Sequence, residues 1–189
     1  MTLSVIVLSA VTLQRLAELV IARRNTRALM SRGAVEVSSG HYPLIVALHS
    51  CWLAGLWFLA PTQPVDLRWL GIFLALQIVR VWILASLRGR WTTRIIVLPG
   101  EPLVRDGPYR FLSHPNYLVV AGEIAVLPLA CGLPIFATIF TILNAAALFV
   151  RIKAESAALA SLYQTGVAAH AFATKARSRQ ALRSLDERR

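Results

Sequence analysis

Five apolar runs set what this chain can fold into. They cover Leu3–Ala22, Tyr42–Ala60, Leu67–Leu87, Pro115–Cys131 and Pro134–Val150. Most are long enough for a helix to cross a ~30 Å hydrocarbon core. In lipid every backbone N–H and C=O needs a partner within the segment, so the runs read as helices. The whole chain agrees: 57% of its 189 residues are hydrophobic and the mean hydropathy is +0.61, where soluble domains run nearer 45–50% apolar. The expectation is an all-α integral membrane protein forming a single domain over residues 1–189, with five transmembrane helices, a polar loop over 88–117 and a C-terminal amphipathic helix and tail over 156–189.

The interruptions of the runs carry information, because a lone charge facing lipid is costly and belongs inside a bundle. Arg15 and Glu18 are three apart and Gln14 and Glu18 four apart, so they share a helical face. They read as a structural ion pair between helices or, less simply, as a substrate contact. Gln77 and Arg80 face the interior by the same spacing, and Glu123 falls inside the fourth run. His49 lies inside the second, as a buried hydrogen-bonded histidine or a catalytic one. Cys51 and Cys131 stand in apolar runs with no metal-ligand spacing around them and no disulfide framework. The first run lacks a basic stretch before it, which argues against a removable signal peptide.

The net charge is +11. The arginines flank the apolar runs rather than forming one patch, which disfavours nucleic-acid binding and points to membrane lipid. The segments after the first, third and fifth runs hold 17 of the 20 Lys and Arg residues. By the positive-inside rule the N-terminus lies outside and the C-terminus in the cytoplasm. The stretch Pro99–Tyr117 then lies on the cytoplasmic side. It holds four prolines and two glycines beside arginines and a histidine, so it cannot span lipid. On the last run Asn144, Arg151 and Glu155 are spaced by seven and four residues, one helical stripe. Arg151 is suited to hold a carboxylate or phosphate through two parallel hydrogen bonds. A structural Arg151–Glu155 pair explains the same spacing. No G-x-G-x-x-G, H-E-x-x-H or G-x-S-x-G motif occurs.

The pattern Gly107-x-Tyr109, His114-Pro115-x-Tyr117 and Arg151-x-x-x-Glu155, preceded by Leu103-Val104, resembles the isoprenylcysteine carboxyl methyltransferase family. The likeness is strongest from Arg88 to Leu159; Arg15, Glu18 and Asn25 fit small bacterial members. It implies a membrane helical enzyme, in a bacterial inner membrane, using S-adenosylmethionine to methylate an oxygen (carboxylate, phenol or enol) of a lipophilic small molecule or lipidated group. It implies cofactor contacts from Glu101, Pro102, Leu103, Val104, Tyr109, His114, Pro115, Asn116, Tyr117 and Glu155, with Arg94 on the cofactor side. It implies catalytic roles for Arg151 and Glu155, Arg151 facing the acceptor, and no metal. A carboxylate acceptor needs no base, since it is ionised above pH ~4; a phenol or enol does, with Glu155, His114 and Glu123 as candidates. Ser156 stands where members commonly carry a second acid, and Ser113 where they carry Arg before the His-Pro. A non-catalytic membrane subunit that retained the fold is the alternative.

Overall fold

The structure is a computed structural model that describes residues 2–37, 40, 42–99, 101, 102 and 104–157. Helix α1 runs over Leu3–Met30, α2 over Tyr42–Leu59, α3 over Leu67–Leu87 and α4 over Pro115–Ala130. Helix α5 starts at Pro134 and continues through Ala157. Helices α1, α2, α3 and α5 are long and apolar enough to cross a membrane. The expected fourth span, α4, has 16 residues, about 24 Å of helix, so four of the five expected spans meet the length requirement by themselves.

Local chemistry sets the helix ends. Thr2 caps α1 by accepting from Val5 N, and Asp66 caps α3 by accepting from Arg68 N. Pro115 opens α4 where its missing N–H costs nothing. Between α4 and α5 Gly132 adopts φ +69°, the left-handed conformation that turns the chain back at Pro134. The ends depart from the hydropathy boundaries in two places. Helix α1 passes Ala22 and reaches Met30, because Arg23, Arg24 and Arg27 are good helix formers and no Gly or Pro intervenes before Gly33. Helix α5 likewise passes Val150. The all-α expectation also misses a two-residue antiparallel pairing: β1 (Val35–Glu36) meets β2 (Ile96–Val97) and ties the segment after α1 to the polar loop. The loop holds a 3-10 turn at Gly107–Arg110. Of the expected C-terminal helix and tail, 158–189 lie outside the described residues.

Leu8, Val11, Trp52, Leu56, Phe73, Ile124 and Leu127 form the core where α1, α2, α3 and α4 meet. Two glycines let helices approach closely: a Cβ on Gly122 would press on Leu76, and one on Gly55 on Phe136. Outward faces stay apolar: Phe58 is 87% exposed, and Ile78 and Ile135 are exposed too. Such an outer surface suits lipid contact.

Within this core lies a buried charge network. Glu123, 1% exposed, accepts from Arg80 Nε at 2.7 Å, from Arg80 Nη2, from Gln77 Nε2 at 2.7 Å and from Arg15 Nη2 at 2.6 Å. Glu18 accepts from Gln14 at 3.0 Å, Arg15 at 2.9 Å and Arg80 at 3.2 Å. Two arginines and two glutamates from α1, α3 and α4 thus cancel in charge. The structural reading of Arg15 and Glu18 as an interhelical ion network is what the geometry contains.

Candidate active site

The polar loop, the start of α4 and the end of α5 enclose a cavity of about 450 Å³. Glu101, Pro102, Val104, Tyr109, His114, Asn116, Tyr117, Glu155, Arg94 and Arg151 all stand on its wall, with Ser113 beside them. Pro115 does not; it is buried at the first turn of α4. Leu103 lies outside the described residues. Glu123 is also off this wall, and its carboxylate is saturated by the donors named above. It is therefore removed from the candidate bases.

Tyr117 organises the cavity floor. Its hydroxyl donates to Glu155 Oε2 and accepts from Arg151 Nε at 3.0 Å. Arg151 and Glu155 make no direct ion pair; the phenol oxygen stands between them. Arg151 Nη2 donates to the Thr93 carbonyl at 2.8 Å, and its guanidinium lies over the Tyr117 ring, 5.6 Å from the centroid. With Nε and Nη2 so engaged, Nη1 is the arm without a partner among the described residues. The His114 ring stacks on Tyr117 with centroids 5.2 Å apart, and its Nδ1 is 3.9 Å from Glu155 Oε2. Burial, reinforced by the Glu155 charge, pushes the Tyr109 phenol from its ordinary 10.0 up to about 12. It stays a hydrogen-bond donor at any physiological pH.

The rim is held by ion pairs. Glu101 pairs with Arg32 beyond α1, and its Oε2 lies 2.6 Å from Arg90 Nη2 without hydrogen-bond alignment. Arg90 Nη1 donates to the Pro102 carbonyl at 2.7 Å. Arg94 pairs with Glu36 of β1 at 2.9 Å and covers the Tyr42 ring, 4.9 Å away. It sits on the lip, turned toward β1. Asn25 donates to the Trp91 carbonyl at 2.8 Å and so fixes the loop's first residues against α1.

A second cavity, about 340 Å³, lies between α1, α2, α4 and α5 and is mostly apolar. It shares Trp91, Thr92, Asn116, Tyr117 and Arg151 with the first. Trp91, Thr92 and Thr93 are absent from the sequence expectations. Thr93 acts through its backbone carbonyl, which no side-chain pattern announces.

Comparison with known proteins agrees with the motif. The profile of the isoprenylcysteine carboxyl methyltransferase (ICMT) family matches residues 69–161. The chain is 41% identical over 160 residues to "Uncharacterized protein YpbQ" of Bacillus subtilis (strain 168), covering 82% of this chain and 95% of that protein. It is 27% identical over 163 residues to an uncharacterized protein of Haemophilus influenzae, covering 79% and 90%. No solved structure matches significantly. With the motif residues gathered on one cavity wall and a relative this similar over nearly its whole length, the chain belongs to the isoprenylcysteine carboxyl methyltransferase family.

Proposed function

We propose that the protein transfers a methyl group from S-adenosylmethionine to an oxygen of a lipophilic acceptor at the membrane interface. One observation carries this reading: the more polar of two cavities and a mostly apolar one share Asn116, Tyr117 and Arg151 in their walls. A water-soluble donor and a membrane-soluble acceptor can approach that common wall from opposite sides. The polar cavity fits the cofactor on its own chemistry. Among the described residues Asn116 Oδ1 is a buried acceptor with no hydrogen-bond partner, and buried acceptors need donors. The cofactor's ammonium, amino and hydroxyl groups are such donors. The volume lies in the range of small-molecule sites.

Bound S-adenosylmethionine supplies a methyl group already activated by its sulfonium. The chain's own residues therefore mainly position and shield. Glu155 places negative charge in the cofactor cavity, while Tyr117 fixes its carboxylate and holds Arg151 Nε. Arg151 Nη1 orients the acceptor oxygen; orientation of this kind is worth ~7–11 kcal/mol of barrier when complete. A carboxylate arrives ionised. A phenol or enol proton can go to His114 or Glu155, the candidate bases left, which line the first cavity beside Tyr117. The apolar cavity excludes water from the acceptor. In this reading all five helices cross a bacterial inner membrane, with the polar loop and the C-terminus in the cytoplasm.

The test is made on the purified full chain in lipid nanodiscs. Calorimetric titration should show S-adenosylmethionine binding. Incubation with methyl-labelled cofactor and extracted bacterial membrane lipids should then put label into a lipid-soluble species. No binding at millimolar cofactor refutes the reading and favours a non-catalytic subunit.

A further inference from the structure

The far end of the apolar cavity is built for more than a hydrocarbon tail. Thr12, Arg15, Glu18, His49 and Ser50 line it there, among leucines and valines. His49 Nδ1 lies 2.8 Å from the Ile45 carbonyl oxygen. A carbonyl only accepts, so Nδ1 carries the proton, and the lone pair of the neutral ring lies on Nε2. Nε2 makes no hydrogen bond to the described residues. Arg15 spends two N–H groups on Glu18 and Glu123, out of five. Its side chain is 23% exposed against 3% for Arg80, so the exposed remainder borders this cavity. An apolar chamber thus ends, among the described residues, in a free acceptor at His49 Nε2 and spare donors on Arg15, and polar groups in such surroundings need partners.

The distance from the reacting end can be read along two helices. Tyr42 marks the Arg151 level, because its hydroxyl meets Thr93 Oγ1 at 3.0 Å and the Thr93 carbonyl accepts from Arg151. His49 is seven residues further along α2, roughly 10 Å. On α4, Glu123 is six residues beyond Tyr117, roughly 9 Å, and Glu123 holds Arg15. Both rulers place the polar end about 9–10 Å from Tyr117 and Arg151. The network beside His49 is charge-neutral, so an uncharged hydroxyl suits it better than a second carboxylate.

We infer that the apolar cavity reads its acceptor at two points, and that His49 with Arg15 recognises a hydroxyl about 9–10 Å from the oxygen held at Arg151. The acceptor class is then an amphiphile with two polar groups, the deeper hydroxyl donating to His49 Nε2 and accepting from Arg15. This rests on the methyltransferase reading for the first point only; the second is a binding property.

The test uses the full chain in nanodiscs with 4-alkylphenols and their counterparts bearing a terminal hydroxyl, over a series of chain lengths. Binding is followed by quenching of Trp52 and Trp91, which both line the cavity, so no turnover is needed. The hydroxylated phenol of matching length should bind about tenfold tighter than its plain counterpart, ~1.4 kcal/mol. His49→Asn keeps an N–H for the Ile45 carbonyl but has no atom at the Nε2 position; it should abolish the preference and leave the plain phenol's affinity unchanged. His49→Gln puts an amide oxygen near that position and should restore most of it. Equal binding of the two phenols, no binding of either, or a preference that survives His49→Asn overturns the inference. Label from S-adenosylmethionine is followed in the same samples. Selective binding without methyl transfer counts against the methyltransferase reading alone.

Discussion

Replacing Glu123 by Gln is the sharpest probe of what holds the bundle together. The carboxylate meets four donors with its four lone-pair sites. An amide presents two N–H groups on one side and accepts only through its single oxygen. At least two of the arginine and glutamine donors then face a donor, and two arginines remain against one glutamate in the bundle interior. Removing one member of a buried charge pair costs ~3–5 kcal/mol. For a chain of this length each kcal/mol moves the midpoint by ~2–4 °C, so the melting temperature should fall by ~6–20 °C. Glu18→Gln should cost less, because the Glu18 side chain is 9% exposed against 1% for Glu123 and accepts three hydrogen bonds rather than four. Adding Arg80→Met to Glu123→Gln restores neutrality and should recover part of the loss. The assay is intrinsic-fluorescence melting in nanodiscs beside S-adenosylmethionine titration. Cofactor affinity should hold, since none of these four charges lines the cavity proposed for the cofactor. A Glu123→Gln protein melting within about 2 °C of wild type would refute the reasoning.

Four further outcomes are expected. Arg151→Lys keeps the charge but loses the planar fork, so turnover with membrane extract should fall sharply at near-normal cofactor affinity. Glu155→Gln should weaken cofactor binding first, and equal loss of melting temperature with unchanged chemistry per folded molecule in both variants would make the pair purely structural. Gly107 has φ +58°, and a Cβ there would collide with Ser86 and approach Trp82 Nε1 to 3.1 Å. Gly107→Ala should cost ~1–3 kcal/mol and weaken cofactor binding by displacing Tyr109, with partial relief from Ser86→Ala; unchanged melting and affinity would show that the turn yields freely. Tyr109, held at about 12 against an ordinary 10.0, favours the neutral phenol in the fold. Its stabilising contribution is whole below pH 10 and is lost as pH rises toward about 12. The 295 nm difference titration between wild type and Tyr109→Phe should show its phenolate step near 12, and a step at 10 would contradict the burial argument.

Hydropathy made the helices legible, because a lipid-crossing segment must be both apolar and internally hydrogen-bonded. It could not place their ends, since Arg23, Arg24 and Arg27 leave lipid without leaving the helix. Spacing put Arg15 and Glu18 on one face, but their partners Arg80 and Glu123 are 43 to 108 positions away from the residues they bind. No periodicity links such distant positions. That the loop motif and the α5 stripe meet on one cavity wall was legible from the two patterns together. The bridging hydroxyl of Tyr117 was not, because Arg151 and Glu155 one turn apart imply a direct pair. The Thr93 carbonyl and the β1–β2 pairing were silent for a common reason: backbone groups look alike in every sequence.

Helix α1 is a single rod of 28 residues without proline or glycine. Leu29 near one end borders the polar cavity, while Thr12, Arg15, Leu16, Glu18 and Leu19 border the apolar one. A helix this uniform has no hinge at which to bend. Any tilt that widens one chamber therefore acts as a lever on the other. Occupants of the two chambers are then expected to be linked, and by reciprocity each should change the other's affinity by the same factor.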